Sequence, residues 1–295
     1  MNGSPTPRRP RPAAVNRLAD PNKTNATLLS PETSRIIASK PVDAVSPSKI
    51  PRGPNNAKIT TENLLEEACA HLIKVDERMR PLVEKHHCRL FSPEGLAEKI
   101  DPFEAIASSI VSQQVSGAAA KAIKGRFIAL FDLADSTSPD GVPARRFPHP
   151  SQVAVTPIEK LRTAGLSQRK AEYVAGLAEK FAAGELSAQM LADASYEEIL
   201  EKLIAVRGLG RWSVEMFACF ALKRMDVFSL GDLGVQRGMA AFVGRDVAKL
   251  KGKGGKWKYM SEKEMEEISD RFKPYRSLFM WYMWRVEETD VSTME

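Results

Sequence analysis

The sequence predicts an all-α protein whose helices form two lobes with a cleft between them. Apolar residues recur at helical spacing through most of the chain, and no run alternates apolar and polar residues as a half-buried strand does. The helical stretches follow one another through short turns, which is typical of helix bundles. At 43% hydrophobic and 27% charged, the composition is that of an ordinary globular protein.

The first 58 residues differ from the rest in composition. They contain ten of the 19 prolines, and ten Lys or Arg residues against three Asp or Glu. With no sustained apolar period, such a stretch cannot bury enough surface to offset its conformational entropy, so we predict a disordered basic tail over residues 1–58. We predict the folded domain over residues 59–295, where 33 basic residues face 34 acidic ones. Any contact of this domain with a polyanion such as nucleic acid must then depend on local clusters and backbone amides.

The arginine cluster at residues 7–12 bears on localisation. It is typical of a nuclear-import patch or of an arm that grips DNA non-specifically. The tail is also Arg-rich and poor in acidic residues, as organelle transit peptides are, and a plain solvated linker explains it equally well. We expect a nuclear protein, with the mitochondrion as the alternative. The three scattered cysteines favour a reducing compartment.

The first helices that matter for function meet at a polar turn. Asp101 precedes Pro102, a typical helix start, and opens a helix over residues 103–112. Gln113, Gln114 and a valine follow, and Ser116 caps the next helix, over residues 117–131. By itself, a short polar turn between two helices has no specific functional meaning.

A later helix, over residues 168–183, has an unusual first turn. Ser167 is its predicted cap, and Arg169 and Lys170 follow at once, where the helix dipole disfavours positive charge. A bound phosphate near this helix start would relieve the mismatch. A simple solvated surface is an equally good explanation.

The centre of the chain is a tight turn between two helical stretches. Ser195 and Glu198 form a capping box that starts the first helix, and residues 206–210 read Val-Arg-Gly-Leu-Gly. The two glycines let the backbone reverse, and they leave the amide groups of the second helix open to an anion such as a phosphate. An ordinary corner between two helices would have the same pattern.

Asp232 stands at the start of another helix, over residues 233–242. The helix dipole there favours the ionised carboxylate. The residue could serve only to cap that helix, which is a common role.

Together, the sequences of these two segments resemble the signature of a known family. Val-Arg-Gly-Leu-Gly-Arg-Trp-Ser, followed by Asp-Val-Phe-Ser-Leu-Gly-Asp-Leu-Gly-Val-Gln-Arg, resembles the signature of the helix-hairpin-helix DNA glycosylases. Within that superfamily the sequence is most similar to the 3-methyladenine DNA glycosylase branch of yeast and bacterial inducible type. The resemblance covers the chain from about residue 60 to about residue 285.

The resemblance implies a role for each candidate site residue. The expected catalytic residue is Asp232, beside the sugar of a nucleotide flipped out of the duplex. The expected base-pocket aromatics are Trp212, Trp284 and Tyr275. The expected contacts to the DNA backbone are Arg207, Gly208, Leu209, Gly210, Arg211, Arg169 and Lys170. Gln114 or Ser116 fills the gap left by the flipped base, supported by Gln113.

The chemistry needs these residue types. Breaking an N-glycosidic bond builds positive charge on the sugar, and a carboxylate stabilises that charge and can orient the attacking water. A cationic alkylated purine stacks on indole faces through cation–π attraction. Bifunctional relatives carry a lysine where this chain has Trp212, so hydrolysis alone is expected.

No cofactor is expected. No cysteine follows Cys219, so the chain lacks the closely spaced cysteines that hold an iron–sulfur cluster in some relatives. No metal site is predicted, although the family resemblance allows a structural monovalent cation at carbonyl groups of the hairpin.

The leading hypothesis is a monofunctional, monomeric glycosylase that acts on double-stranded DNA containing alkylated bases, with no membrane contact. Two alternatives remain. One is a non-catalytic helix-hairpin-helix DNA-binding protein, in which Asp232 is only a cap. The other is a helical scaffold whose Gly-Leu-Gly is a plain corner.

Overall fold

The computed structural model describes residues 15–44, 58–131, 147–252 and 255–286. These residues form fifteen α-helices, three short 3₁₀ helices and three strands of two or three residues. The helices up to the polar turn and just beyond are α1 (Leu64–Val75), α2 (Arg80–Lys85), α3 (Pro93–Leu96), α4 (Pro102–Ser112) and α5 (Gly117–Ala129). Those up to the Gly-Leu-Gly turn are α6 (Pro150–Ala154), α7 (Ile158–Arg162), α8 (Gln168–Ala182), α9 (Ala188–Asp193) and α10 (Tyr196–Ile204). The remaining helices are α11 (Arg211–Phe220), α12 (Leu233–Phe242), α13 (Val247–Lys251), α14 (Glu262–Asp270) and α15 (Arg276–Met283).

The capping signals of the sequence start helices where predicted. The side chain of Asp101 accepts hydrogen bonds from the first turn of α4, and Ser167 caps α8. Ser195 and Glu198 form a complete capping box at α10. The predominantly helical fold is therefore confirmed. None of the helices in the described ranges is long and apolar enough to span a membrane.

Two separate hydrophobic cores divide the helices into two lobes. The first core is built mainly from α4 to α10, and the second from α1, α12, α14 and α15. Helix α11 belongs to both cores, since Val214 and Phe217 pack in the first and Cys219 in the second. The residues just before and after α11 therefore lie where the lobes join.

The N-terminal segment is folded, contrary to prediction. Strand β1 (Thr27–Leu29) pairs antiparallel with β2 (Ile36–Ile37) and parallel with β3 (Lys99–Ile100), and Leu28 is fully buried. The prediction of disorder is wrong for residues 15–44; residues 1–14 and 45–57 lie outside the described part. Strands of two or three residues are too short to carry a periodic signal, and β3, the parallel partner of β1, lies far along the chain. The folded domain thus begins by residue 15, not at residue 59.

This segment also connects the lobes. Ala19 packs in the second core, whereas Leu28 packs in the first. The backbone amides of Asn25 and Ala26 both donate to the carbonyl of Leu222, just after α11. The segment is therefore part of the structure that holds α11 in place.

Arg17→Met is expected to destabilise the fold by about 2–3 kcal/mol, because the buried guanidinium makes charge-assisted hydrogen bonds. Its Nη2 donates to the carbonyls of Leu96 (2.9 Å) and Asn25 (3.2 Å), and Nη1 donates to Oγ of Ser39 (3.1 Å). The measurement is urea unfolding. The exposed Arg35→Met in the same segment is the control, and equal losses in the two variants would contradict the assignment.

Candidate active site

The Gly-Leu-Gly turn joins α10 to α11 in a close-packed hairpin. Gly208 has a φ of +92°, a conformation that side chains rarely adopt. A Cβ at this position would lie 2.2 Å from Cδ2 of Tyr173, so the turn packs directly against α8. The side chain of Leu209 is buried in the first core. The turn therefore needs glycine at position 208 for conformation and for space.

The start of α11 is open on its outer side. Gly210 is the capping residue, and no side chain caps the helix. Arg207 and Arg211 flank this end and are both exposed. An uncapped helix start with adjacent guanidinium groups is suited to a phosphate. The contact of this helix start with the DNA backbone stays a prediction.

Asp232 caps α12 and also receives two indole N–H groups. Its Oδ1 accepts from the backbone amide of Val235 (2.8 Å) and from Nε1 of Trp284 (3.0 Å). Its Oδ2 accepts from Nε1 of Trp212 (2.6 Å). Capping uses one oxygen only, so the structural and catalytic roles are compatible. The carboxylate is held in a fixed direction between two aromatic side chains.

The two indoles differ in exposure. Trp284 is 1% exposed and stacks on Phe220, with 5.7 Å between ring centroids. Trp212 is 43% exposed, while Asp232 beside it is 6% exposed. Trp212 thus presents an aromatic surface to solvent next to a shielded carboxylate.

Gly234 makes room for this arrangement. A Cβ there would lie 2.9 Å from Cδ1 of Trp284 and 3.1 Å from Oδ1 of Asp232. The glycine in the first turn of α12 therefore lets the indole reach the carboxylate.

Tyr275 does not belong to this group of side chains, so its assignment to the base pocket is corrected. It is fully buried in the second core, and its ring packs edge-to-face with that of His71, with 5.2 Å between the ring centroids. Its hydroxyl has no hydrogen-bond partner among the described residues. The aromatic side chain fills the core beneath α1, as most buried helical aromatics do.

The polar turn between α4 and α5 is tied to the hairpin. Nε2 of Gln113 donates to the carbonyl of Gly208 (2.9 Å). Nζ of Lys170 donates to the carbonyls of Val111 (2.7 Å) and Gln113 (2.5 Å). Gln113 therefore links the polar turn to the hairpin, and its role in supporting the gap-filling residue stays a prediction. Lys170 holds the end of α4 instead of pointing out toward a phosphate, whereas Arg169 is exposed.

Two residues of this turn remain candidates for the gap-filling role. Gln114 is exposed, and its φ of +56° is a backbone conformation that residues other than glycine rarely adopt. Ser116 is exposed but uses its hydroxyl to cap α5. The choice between them stays a prediction.

The sequence reasoning missed Glu215 and Ser229. Both are buried beside the site, and Oγ of Ser229 donates to Oε2 of Glu215 (2.5 Å). The sequence feature that could have identified Glu215 is its position: it is a carboxylate on the apolar face of α11, one turn after Trp212. Within the described residues, no group of three or more His, Cys, Asp or Glu side chains is arranged to hold a metal ion.

Comparison with known proteins agrees with this geometry. The family described as "HhH-GPD superfamily base excision DNA repair protein" matches residues 107–252. A DNA-3-methyladenine glycosylase of Saccharomyces cerevisiae is 32% identical over 285 residues, covering 89% of this chain and 91% of that protein.

Two solved structures have a similar fold. One is a DNA-3-methyladenine glycosidase of Bacillus halodurans, with a TM-score of 0.58 at 30% identity, covering 76% of this chain and 91% of that chain. The other is a 3-methyladenine DNA glycosylase of Schizosaccharomyces pombe in complex with abasic DNA, with a TM-score of 0.54 at 26% identity, covering 75% and 97%. With the hairpin and the indole-bound aspartate in place, the chain belongs to the HhH-GPD superfamily of base excision DNA repair proteins, in its 3-methyladenine DNA glycosylase branch.

Proposed function

We propose that the protein is a monofunctional DNA glycosylase that removes alkylated purines of the 3-methyladenine type from duplex DNA and leaves an abasic site. The observation that carries the proposal is the carboxylate of Asp232, held by the indoles of Trp212 and Trp284 at the junction of the lobes. Fixed hydrogen bonds orient this negative charge before the reaction begins. Stabilisation of a cationic transition state then needs little reorganisation.

The two oxygens of Asp232 have different surroundings. Oδ1 accepts two hydrogen bonds, and Oδ2 accepts one, from the exposed indole of Trp212. A carboxylate oxygen can accept two hydrogen bonds, so Oδ2 keeps capacity for a water or a sugar. We assign to Oδ2 the stabilisation of positive charge at the anomeric carbon and the orientation of the attacking water. The cationic base leaves readily, so the reaction calls on no cofactor.

Trp212 supports hydrolysis without strand cleavage. It occupies the position at which bifunctional relatives carry a Schiff-base lysine, and its indole contacts Asp232. Lys170, on the helix that packs against the hairpin turn, donates to the carbonyls of Val111 and Gln113.

The test is incubation of the protein with methylated duplex DNA, followed by chromatography of the released bases. Free 3-methyladenine should accumulate, the DNA strand should stay intact until alkali is added, and borohydride should trap no covalent complex. Release of no base, or a borohydride-trapped complex, would contradict the proposal. A panel of 7-methylguanine, ethenoadenine and hypoxanthine substrates then defines the lesion range.

The alternative is a DNA-binding protein without catalysis. The uncapped start of α11 and the exposed Arg207 and Arg211 favour DNA binding on their own. That alternative predicts salt-sensitive binding with no base release.

Three further expectations belong to this proposal. The protein acts as a monomer on alkylated duplex DNA, and it acts in the nucleus, with the mitochondrion as the alternative. A monovalent cation at the hairpin carbonyls stays a prediction; one of these carbonyls, that of Gly208, already accepts the amide of Gln113.

A further inference from the structure

A buried carboxylate lies next to the catalytic aspartate. Glu215 is 3% exposed, in the middle of α11, one helical turn after Trp212. Burying a carboxyl group is costly unless it is hydrogen-bonded, so its position calls for a specific partner. Burial raises the pKa of Glu215, and the negative charge of Asp232 acts in the same direction.

The partner of Glu215 is a buried serine. Oγ of Ser229, a residue with no solvent exposure, donates to Oε2 of Glu215 at 2.5 Å. The other oxygen, Oε1, lies 3.6 Å from Nη1 of the exposed Arg211. The serine is therefore the close contact and the guanidinium the distant one.

Ser229 begins the turn that ends at Asp232. The backbone amide of Asp232 donates to the carbonyl of Ser229 (3.3 Å), which closes this four-residue turn. Helix α11 thus holds the turn at both ends: Glu215 binds its first residue, and Trp212 binds its last. Between them, Gly231 is exposed and has open space around it, whereas Leu230 packs against the second core and its carbonyl accepts from Nε2 of Gln236 (3.4 Å).

We propose that Glu215 is a positioning residue for the glycosylase reaction, which acts through Ser229 to fix the turn Ser229–Asp232 and thereby the direction of the Asp232 carboxylate. The inference rests on the proposed function. Glu215 itself is enclosed and contacts no substrate. Its required property is a hydrogen-bond acceptor at the position of Oε2, not its charge.

Three variants separate the acceptor from the charge. Glu215→Leu removes the acceptor at similar volume, Ser229→Ala removes the donor, and Glu215→Gln keeps an acceptor oxygen without the charge. Single-turnover release of 3-methyladenine should fall about 10- to 100-fold in the first two, since a misplacement near 1 Å costs that much. Glu215→Gln should stay within about threefold of wild type. The double variant Glu215→Leu, Ser229→Ala should be no slower than either single variant, because the two substitutions remove the same hydrogen bond.

A second readout separates positioning from a general loss of structure. Two quantities are measured for each variant: the affinity for duplex DNA with a neutral tetrahydrofuran abasic site, and the melting temperature. Both should change little in Glu215→Gln. In Glu215→Leu, any loss of affinity or of melting temperature should be too small to explain the loss of rate. Parallel losses of rate, affinity and melting temperature would overturn the inference. So would a Glu215→Gln variant as slow as Glu215→Leu, or a Ser229→Ala variant with the wild-type rate.

An activity-independent measurement keeps the test valid if the wild type releases no base. ¹⁵N-labelled indole groups report the hydrogen bonds of Trp212 and Trp284 to Asp232 by NMR. These indole signals should shift in Glu215→Leu and Ser229→Ala and stay close to wild type in Glu215→Gln. Unshifted signals in the first two variants would overturn the positioning role, whereas absent base release by the wild type would refute only the proposed function.

Discussion

Asp232→Asn is expected to slow release of 3-methyladenine by roughly 10²–10⁴-fold, the usual range for loss of a catalytic carboxylate. The variant keeps the fold because asparagine caps helices as well as aspartate does, so the bond from the amide of Val235 can persist. It removes the negative charge, and the new amide N–H₂ group cannot accept the indole N–H of Trp212. The measurement is single-turnover base release, with affinity for abasic duplex DNA measured in parallel.

Asp246→Asn is the matched control for this variant. Asp246 also caps a helix, since its side chain accepts from the amide of Lys249 at the start of α13, but it contacts neither indole. Its substitution should leave base release unchanged. Wild-type turnover by Asp232→Asn would show that capping is the whole role of Asp232.

Gly208→Ala is expected to weaken DNA binding about tenfold or more, which corresponds to about 1.4 kcal/mol, because the hairpin turn must move to accommodate the added Cβ. The left-handed conformation also costs a residue with a Cβ roughly 1–2 kcal/mol, which lowers stability. The added Cβ also meets the ring of Tyr173, with its nearest ring atom at 2.2 Å. Moving the turn away from α8 would break the bond between Gln113 and the carbonyl of Gly208. The hairpin amides would then no longer face the DNA backbone. The dissociation constant for abasic duplex DNA, measured at fixed salt, tests this expectation.

Gly184→Ala is the control for the backbone cost alone. Gly184 has a φ of +75° at the end of α8, and nothing lies within 4 Å of the added Cβ. It should lower stability modestly and leave DNA affinity unchanged. Equal losses of affinity in the two glycine variants would refute the specific role of the hairpin.

The parts of the fold that follow from local physics could be predicted. The capping box of Ser195 and Glu198 starts α10, and the glycine turn joins α10 to α11 where the sequence places it. These signals act within a few residues, so they can be read without the tertiary structure. The family resemblance assigned Asp232, Trp212 and Trp284 to one site, and in the structure both indoles donate hydrogen bonds to Asp232.

The parts that depend on distant partners could not be predicted. Arg17 and Leu28 are buried, and each has a partner far along the chain: Arg17 donates to the carbonyl of Leu96, and Leu28 pairs with Ile100. Lys170 has the sequence context of a phosphate ligand, yet the carbonyls of α4 bind its ammonium group. Tyr275 follows a proline at the start of an aromatic-rich helix, and only the packing against His71 shows that it belongs to the core.

The central claim is that the Asp232 carboxylate stabilises positive charge at the sugar of the flipped nucleotide. The most direct measurement compares the affinities of wild type and Asp232→Asn for duplex DNA with a cationic pyrrolidine abasic analogue and with its neutral tetrahydrofuran counterpart. The wild type should prefer the cation by at least about tenfold, since an opposite charge at close range in a partly buried site is worth more than about 1.4 kcal/mol. Asp232→Asn should lose that preference while binding the neutral analogue normally. A preference for the cation that survives in Asp232→Asn would contradict the claim.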